Sequence, residues 1–331
     1  MSKLVLGVDG GATKSHLALF DESGKCVAAT VYGALNHEVM KGSFDELREK
    51  LAECVAIVLE KAGAKTEDVT YAVLGLAGVD TESQQERITG IVGETGLKNY
   101  LVCNDALLGV PAGCPDCVGI CAINGTGFKL AAVDKSGSPL HTCGVGPLTD
   151  DCGGGTWYGQ RAIGVVYNEL YKLGKPTMMR DMLYKLAGVS RREDYLDTVA
   201  DKYMEGSFDL VSLNSIPFEA AAKGDEVALS ILSESAEQYA GGIARLAIEM
   251  EFPKEDTLHV TLAGSVFVKQ KVKILQDMIQ NRIADALGNR DVKYTNLDAP
   301  PVAGAVVWAS QKSGIKPDME KIKAELKKAG L

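Results

Sequence analysis

Two apolar, strand-like runs within residues 4–20 are joined by a short glycine turn, and this segment constrains the fold more than any other. Asp9 ends the first run and so stands at the end of a predicted strand, where its carboxylate would face a bound metal-nucleotide. Because glycine has no Cβ, backbone N–H groups of such a turn can close around a phosphate. An ordinary β-hairpin is the alternative interpretation. The candidate phosphate-binding residues of the turn are Gly10, Gly11, Ala12, Thr13 and Lys14.

The apolar periodicity predicts a repeated succession of strands and helices. Three strand-like runs in the first 32 residues are followed by a segment at 43–62 whose apolar residues recur at steps of three and four, and then by strand, helix and strand. The same order begins again near residue 118, with extra helical segments at 156–173, 178–186 and 225–249 and one uninterrupted helix at 266–287. We therefore predict a duplicated α/β architecture in which helices cover two sheets.

Length and charge narrow the class of protein. At 331 residues the chain exceeds the usual size of one hydrophobic core, so two domains with a cleft between them are expected. A net charge of −9 argues against nucleic acid or an anionic membrane as the main partner. The sequence lacks a run of ~18 apolar residues that would span a membrane, and it lacks a signal-peptide pattern. We expect a cytoplasmic protein.

Eight cysteines are present, and in a cytoplasmic chain they are expected to be free thiols. Cys114, Cys117 and Cys121 form a C-x2-C-x3-C pattern, a spacing that could hold zinc or an iron–sulfur cluster. The other interpretation is a turn at Pro115 and Asp116 followed by a buried strand, in which the thiols act as small hydrophobes. We prefer the second interpretation because the sequence offers no matching pair of further ligands.

A second glycine turn and two further glycine segments follow the first turn. Gly125, Thr126 and Gly127 lie between strand-like runs at the matching point of the second half, where their amides could bind phosphate from the opposite side. Gly264 and Ser265 close a strand and open a helix, and their flat backbone could lie against a nucleoside. Residues 144–155 are too rich in glycine for regular structure. They carry Asp150 and Asp151, which could bond several hydroxyls or belong to a solvated loop.

Two aspartates follow predicted strands. Asp105 stands between a strand and a helix, where an aspartate most often caps the helix. With phosphate turns on either side of it in the sequence, it is also the best candidate for the base that takes a proton from an attacking hydroxyl. Asp80 follows Gly78 after another buried strand, and it either caps the next helix or bonds a sugar hydroxyl.

These motifs, in this order, resemble those of the sugar kinase, heat-shock protein and actin superfamily. Within it the chain is similar to the BadF/BadG/BcrA/BcrD ATPase family, and most to its N-acetylglucosamine kinase branch. Residues 7–14 resemble the family's first phosphate segment, residues 124–127 the second, and residues 262–265 the adenosine segment. The resemblance implies two ribonuclease H-like (actin-like ATPase) domains with a nucleotide cleft between them.

The resemblance also implies roles for single residues. Asp105 falls at the catalytic aspartate, and Asp151 would bind sugar hydroxyls. Apart from the resemblance, we expect the strand-end carboxylate of Asp9 to hold Mg²⁺ through water. Asn36 and His37 match an Asn-His segment of the kinase branch and are implied as sugar contacts. Together with Gly78 and Asp80, which are indicated by the sequence alone, the predicted substrate-binding set is Asn36, His37, Gly78, Asp80, Asp105 and Asp151.

The sugar side departs from the kinase pattern. Cys152 replaces the usual glutamate, Asp150 replaces a glycine, and Val145 replaces the tryptophan of a Gly-Trp-Gly segment. The identity of the sugar therefore depends on the pocket around Cys143, Val145 and Cys152. The family also contains ATP-driven activators of acyl-CoA reductases and dehydratases, and Cys114, Cys117 and Cys121 keep that alternative open. A non-catalytic sensor would need a DNA-binding segment, which the sequence lacks.

We accordingly expect a phosphotransferase that uses ATP and Mg²⁺ to phosphorylate an amino sugar. N-acetylglucosamine, giving the 6-phosphate, is the expected acceptor, and a homodimer is the expected assembly. The expected lobes are residues 1–116 and 117–303, the second with a helical insertion, and helices from about residue 304 are expected to pack back on the first lobe.

Overall fold

A first sheet is built from residues of the N-terminal third of the chain. The computed structural model describes residues 3–142, 144, 146–288 and 290–331. The strands of this sheet are β1 (Leu4–Gly10), β2 (Ser15–Asp21), β3 (Cys26–Tyr32), β4 (Val69–Leu76) and β5 (Tyr100–Asn104). They are ordered β3-β2-β1-β4-β5, with β1 antiparallel to β2 and parallel to β4.

The second sheet repeats this topology. Its strands are β6 (Gly119–Asn124), β7 (Phe128–Val133), β8 (Pro139–His141), β9 (Leu258–Ala263) and β10 (Val292–Asn296). The order is β10-β9-β6-β7-β8, and β6 is antiparallel to β7 and parallel to β9. Strand β6 therefore occupies the place that β1 has in the first sheet, which confirms the predicted duplication of an α/β unit.

Helices cover both sheets and form the insertion. They are α1 (Ser43–Ala62), α2 (Glu82–Gly93), α3 (Gly109–Gly113), α4 (Gly155–Tyr171), α5 (Met179–Ala187), α6 (Arg192–Met204), α7 (Ser215–Ala221), α8 (Glu226–Glu249), α9 (Ser265–Lys269), α10 (Ile274–Leu287), α11 (Pro301–Lys312) and α12 (Met319–Lys328). Helix α1 buries Leu47, Leu51, Val55 and Val58, one apolar stripe at steps of three and four, and ends where Gly63 adopts a left-handed conformation (φ 61°).

The helical prediction was wrong at 266–287. The chain leaves helix α9 at Gln270, whose backbone is extended (φ −68°, ψ 124°), and re-enters helix at Ile274. The side-chain amide of Gln276 donates to the Phe267 carbonyl at 3.1 Å, which satisfies a backbone group that the interrupted helix leaves open. Helices α6 and α7 lie in a segment for which no helix was predicted.

The C-terminal helices return to the first sheet. A Cβ on Gly7 of β1 would lie 2.8 Å from the Val306 nitrogen of α11, so the two backbones are in close contact. Helix α12 reaches the edge of the same sheet, where Glu325 accepts the Cys26 N–H at 3.3 Å. We propose that residues 1–116 with these helices form one lobe and residues 117–303 the other. In the described part of the chain, no helix has both the length and the apolar character needed to cross a membrane.

The strand registers gather the ends of the central strands at one edge of each sheet. In the first sheet Gly10 lies opposite Leu76, and Leu76 lies opposite Asn104. In the second sheet Ile123 lies opposite Ala263. Because the carboxyl ends of parallel strands meet at one edge, the predicted site residues that follow these strands are brought together by the fold.

Candidate active site

The first glycine turn has a fixed base and an exposed tip. The Gly10 carbonyl accepts the Ala77 N–H at 2.8 Å, and the Gly11 carbonyl accepts the Leu35 N–H at 3.0 Å. A Cβ on Gly10 would lie 2.3 Å from Leu76 Cδ2, so the position leaves no room for a side chain. Residues 12–14 at the tip are exposed. Such a tip on a rigid base offers its backbone and side chains to a ligand in the cleft.

The second glycine turn meets the two other glycine segments through backbone contacts. The Gly155 N–H donates to the Gly125 carbonyl at 2.8 Å. A Cβ on Gly264 (φ +91°) would lie 2.5 Å from the Asn124 carbonyl carbon, and one on Gly154 (φ +84°) would lie 2.5 Å from Gly127 Cα. Three segments that are far apart in the sequence therefore form one glycine-lined surface, beside which Thr126 and Ser265 are exposed.

Asn124 holds this surface together from beneath. Its side chain is buried, its Oδ1 accepts the Gly154 N–H at 2.9 Å, and its Nδ2 donates to the Tyr158 hydroxyl at 3.3 Å. The Tyr158 hydroxyl lies 2.6 Å from Ser235 Oγ. Sequence reasoning treated Asn124 only as part of a motif. Its hydrogen bond with Gly154 forms only because tertiary packing brings residue 154 close, and the local sequence does not predict that contact.

Asp105 is not the cap of the helix that it opens, so the capping interpretation was wrong. The cap is Asn104, whose Oδ1 accepts the Ala106 N–H at 3.0 Å. Asp105 is the first residue of a short 3-10 helix, Asp105–Leu108. Its side-chain Oδ1 is buried without a hydrogen-bond partner among the described residues. A buried carboxylate oxygen without a partner is costly and is typical of a group that awaits a ligand.

Burial and neighbouring charges tune this carboxyl. Burial raises the pKa of Asp105 to about 6, the Lys129 ammonium lowers it, and the carboxylates of Asp9 and Asp80 raise it further. A carboxyl with a pKa near neutrality exchanges a proton readily under physiological conditions. The effect of Asp9 also means that the end of β1 and Asp105 belong to one electrostatic site.

Asp9 lies at this site as a partly buried carboxylate. It stands opposite His16 in the β-hairpin, and its Oδ2 lies 3.6 Å from His16 Nδ1. Carboxylate oxygen is the ligand type that Mg²⁺ prefers, and Mg²⁺ commonly keeps several waters when bound by one or two carboxylates. Within the described residues, no group of three or more His, Cys, Asp or Glu side chains could hold a metal ion. Asp9 therefore fits a hydrated ion better than a fully protein-bound one.

The implied sugar contacts of the first lobe form one cluster. A Cβ on Gly78 (φ +82°) would lie 2.5 Å from Asn36 Oδ1 and 3.0 Å from His37 Nδ1. Asn36 Oδ1 also accepts the Glu38 N–H at 2.8 Å, and the His37 ring stacks on Phe44 with centroids 4.1 Å apart. Burial lowers the pKa of His37, so its imidazole is neutral near pH 7. Its Nδ1 is buried without a hydrogen-bond partner within the described chain.

Asp80 does not cap helix α2, so that interpretation was also wrong. Thr81 is the cap, since its Oγ1 accepts the Gln84 N–H at 3.3 Å. The Asp80 Oδ1 instead accepts Lys129 Nζ at 3.0 Å and Asn104 Nδ2 at 2.9 Å. A contact between Asp80 and a sugar remains a prediction. Sequence reasoning missed Lys129, because an isolated lysine after a glycine turn carries no specific signal.

Asp151 organises the glycine loop that contains it. Its Oδ2 accepts the Gly146 N–H at 3.1 Å and its Oδ1 accepts the Thr149 hydroxyl at 3.0 Å. The thiol of Cys152 is buried, and burial raises its pKa to about 12. Cys143 and Val145, two of the expected specificity positions, lie outside the described residues.

The three-cysteine pattern is packed into the apolar interior. Cys114 Sγ lies 3.2 Å from Thr261 Oγ1, and a Cβ on Gly109 would lie 2.3 Å from Cys121 Sγ. Burial raises the pKa of Cys114 to about 11 and that of Cys117 to about 12, so both are protonated near pH 7. Because metals bind the thiolate, these contacts favour the interpretation as small hydrophobes.

Comparison with known proteins agrees with this architecture. A family model described as the BadF/BadG/BcrA/BcrD ATPase family matches residues 6–309. The chain is 25% identical over 320 residues to an N-acetyl-D-glucosamine kinase of Dictyostelium discoideum, covering 93% of this chain and 98% of the relative. It is also 25% identical over 310 residues to an N-acetylmuramic acid/N-acetylglucosamine kinase of Clostridium acetobutylicum, with the same coverage of both chains.

A solved structure shares the fold. The crystal structure of a candidate N-acetylglucosamine kinase from Chromobacterium violaceum superposes with a TM-score of 0.63 at 20% identity, covering 93% of this chain and 99% of the other. The two sheets of identical topology and this superposition confirm the expected pair of actin-like lobes. The chain belongs to the BadF/BadG/BcrA/BcrD ATPase family.

Proposed function

We propose that this protein is an ATP-dependent sugar kinase, a phosphotransferase that moves the γ-phosphate of ATP to a hydroxyl of an amino sugar. N-acetylglucosamine is the proposed acceptor and its 6-phosphate the product, in amino sugar metabolism. The observation that carries the proposal is the Asp105 carboxylate, which has a buried oxygen without a partner, a pKa raised to about 6, and a place at the strand edge beside the first glycine turn. The names of the two curated relatives support the same reaction.

On the nucleotide side, the exposed tips of the two glycine turns would bind phosphate oxygens through their amides and through the Thr13 and Thr126 hydroxyls. Lys14 would add a positive charge, and Asp9 would hold hydrated Mg²⁺, which neutralises phosphate charge during transfer. The proposed nucleotide-binding set is Gly10, Gly11, Ala12, Thr13, Lys14, Gly125, Thr126, Gly127, Gly264 and Ser265.

On the sugar side, the cluster of Asn36, His37 and Gly78 would orient the ring, with Asp80 and Asp151 as further proposed contacts. Asp105 would accept the proton of the attacking hydroxyl, because a carboxylate with a pKa near 6 is ionised at pH 7 and still basic enough to act. Exclusion of water by the two lobes would favour transfer over hydrolysis.

We also propose a cytoplasmic location, where ATP is available and eight thiols stay reduced, and a homodimer.

The test is ADP release measured against hexoses, hexosamines and N-acetylhexosamines. We expect ADP release that depends on an amino sugar, and a phosphorylated product that mass spectrometry assigns to the 6-hydroxyl.

Asp105→Asn should lower kcat by about 10²–10⁴-fold, the usual contribution of a general base, while ATP binding persists. Asp197→Asn, on the exposed face of α6, is the matched control. ADP release that ignores every sugar, or full turnover of Asp105→Asn, would contradict the proposal.

A further inference from the structure

A lysine of the second sheet contacts the first lobe across the cleft. Lys129 lies on β7, two residues after Gly127, and its Nζ donates to Asp80 Oδ1 at 3.0 Å. Asp80 follows β4 of the first sheet. The two side chains are 33% and 27% exposed, so the pair is shielded from water more than a surface ion pair. The ion pair therefore connects the second glycine turn to the first lobe.

The contact continues to the residue that precedes Asp105. The same oxygen of Asp80 accepts Asn104 Nδ2 at 2.9 Å, and Asn104 is buried. The opposite end of that amide caps the 3-10 helix through the Ala106 N–H at 3.0 Å. Asn104 precedes Asp105 in the chain, and its side chain binds the N–H of Ala106, which follows Asp105. The network therefore holds the chain on both sides of the proposed base.

Charge at the site adds to this geometry. The charged groups that act on the Asp105 carboxylate from the surrounding elements are Lys129 of β7, Asp9 of β1 and Asp80 after β4. Asp105 in turn contributes to the raised pKa of Cys103 of β5. His141 of β8 faces Lys129 and Asp80, and burial lowers its pKa, so it is neutral near pH 7. The Lys129 ammonium thus lowers the pKa of Asp105, whereas the carboxylates of Asp9 and Asp80 raise it.

We propose that Lys129 is a positioning residue of the phosphoryl-transfer site, which binds Asp80 and, through the Asn104 side chain, holds Asp105 in place relative to the second glycine turn. The inference rests on the proposed function. General-base catalysis requires the carboxylate within hydrogen-bond reach of the attacking hydroxyl, and a displacement of about 1 Å can cost about 10²-fold in rate. Lys129 would act on kcat without contacting the reacting atoms.

The experiment compares Lys129→Met with Lys129→Arg and with a control, Lys135→Met, which removes an exposed ion pair of the same lobe with Asp256. Lys129→Met should lower kcat by about 10- to 100-fold and leave the KM for ATP within about threefold. Lys129→Arg should recover part of the lost kcat, because it keeps the charge. Lys135→Met should match the wild type.

A second readout does not depend on activity. In protein labelled with ¹⁵N-asparagine, the Asn104 side-chain amide, assigned with Asn104→Ala, should be protected from hydrogen exchange in the wild type and lose protection in Lys129→Met. Lys129→Gln, which removes the charge of the ion pair with Asp80, replaces the methionine variant if that protein does not fold. Its kcat should fall similarly.

Unchanged kcat in a folded Lys129→Met protein, or an unchanged Asn104 amide, would overturn the inference. The two proposals fail separately. If the wild type releases no ADP with any sugar, the proposed function fails, while the exchange of the Asn104 amide still decides whether Lys129 positions this segment.

Discussion

Gly154 and Gly127 contact each other through their backbones, and a Cβ on Gly154 would lie only 2.5 Å from Gly127 Cα. Gly154 also has a φ of +84°, which side-chain-bearing residues rarely adopt. The contact joins the glycine loop at the start of α4 to the second phosphate turn. A substitution at residue 154 should therefore weaken nucleotide binding more than it destabilises the hydrophobic core.

Gly154→Ala should displace the second turn and raise the KM for ATP by about 5- to 150-fold, since strain of about 1–3 kcal/mol corresponds to a change of that size in affinity. The measurement is initial-rate kinetics with ATP as the varied substrate. Gly164→Ala, in the middle of α4 with open space at the Cβ position, is the control and should leave the KM for ATP unchanged. Equal kinetics in the two variants would contradict the expected role of the contact.

Asp105→Asn should stabilise the protein while removing its activity. The folded-state pKa of about 6 lies above the reference value of 3.8, so the ionised carboxylate destabilises the fold. This cost is absent below about pH 4, grows as the pH rises, and is complete above about pH 6. Urea unfolding should show a gain of about 1–3 kcal/mol at pH 8 and almost none at pH 4. A gain of the same size at both values would exclude this cause.

The acid limb of the pH dependence of kcat/KM should lie near pH 6, because Asp105 must be ionised to accept a proton. Lys129→Met should move the limb to higher pH by about one unit, since a nearby cation favours the ionised form of a carboxyl. Lys135→Met should leave it in place. A limb near pH 4 in the wild type would mean that burial does not control this carboxyl.

The protein isolated without oxygen should be colourless and free of stoichiometric iron, because the thiols of Cys114, Cys117 and Cys121 are buried and protonated. Iron is measured with a colorimetric chelator. ATP hydrolysis is measured in the same preparation as ADP release without sugar. A brown protein that hydrolyses ATP without sugar would instead indicate an activator of an acyl-CoA reductase or dehydratase.

Local signals account for the part of the fold that was predicted correctly. The hairpin of β1 and β2 follows from two apolar runs around Gly10 and Gly11, and α1 follows from its apolar stripe. Both are determined by residues near one another in the chain. The break before Ile274 was missed because it depends on the bond from Gln276 to the Phe267 carbonyl, for which periodicity has no signature.

For the site, the sequence by itself determined which segments carry the chemistry, because glycine turns and strand-end aspartates are recognisable one at a time. Only the tertiary structure decided how they act together. Asn104 rather than Asp105 caps the 3-10 helix, and Asp80 pairs with Lys129, 49 residues away. These partners come together only when the two sheets pack. Burial and contacts between residues distant in sequence then determine which carboxylate oxygen is hydrogen-bonded and which one stays available to a ligand.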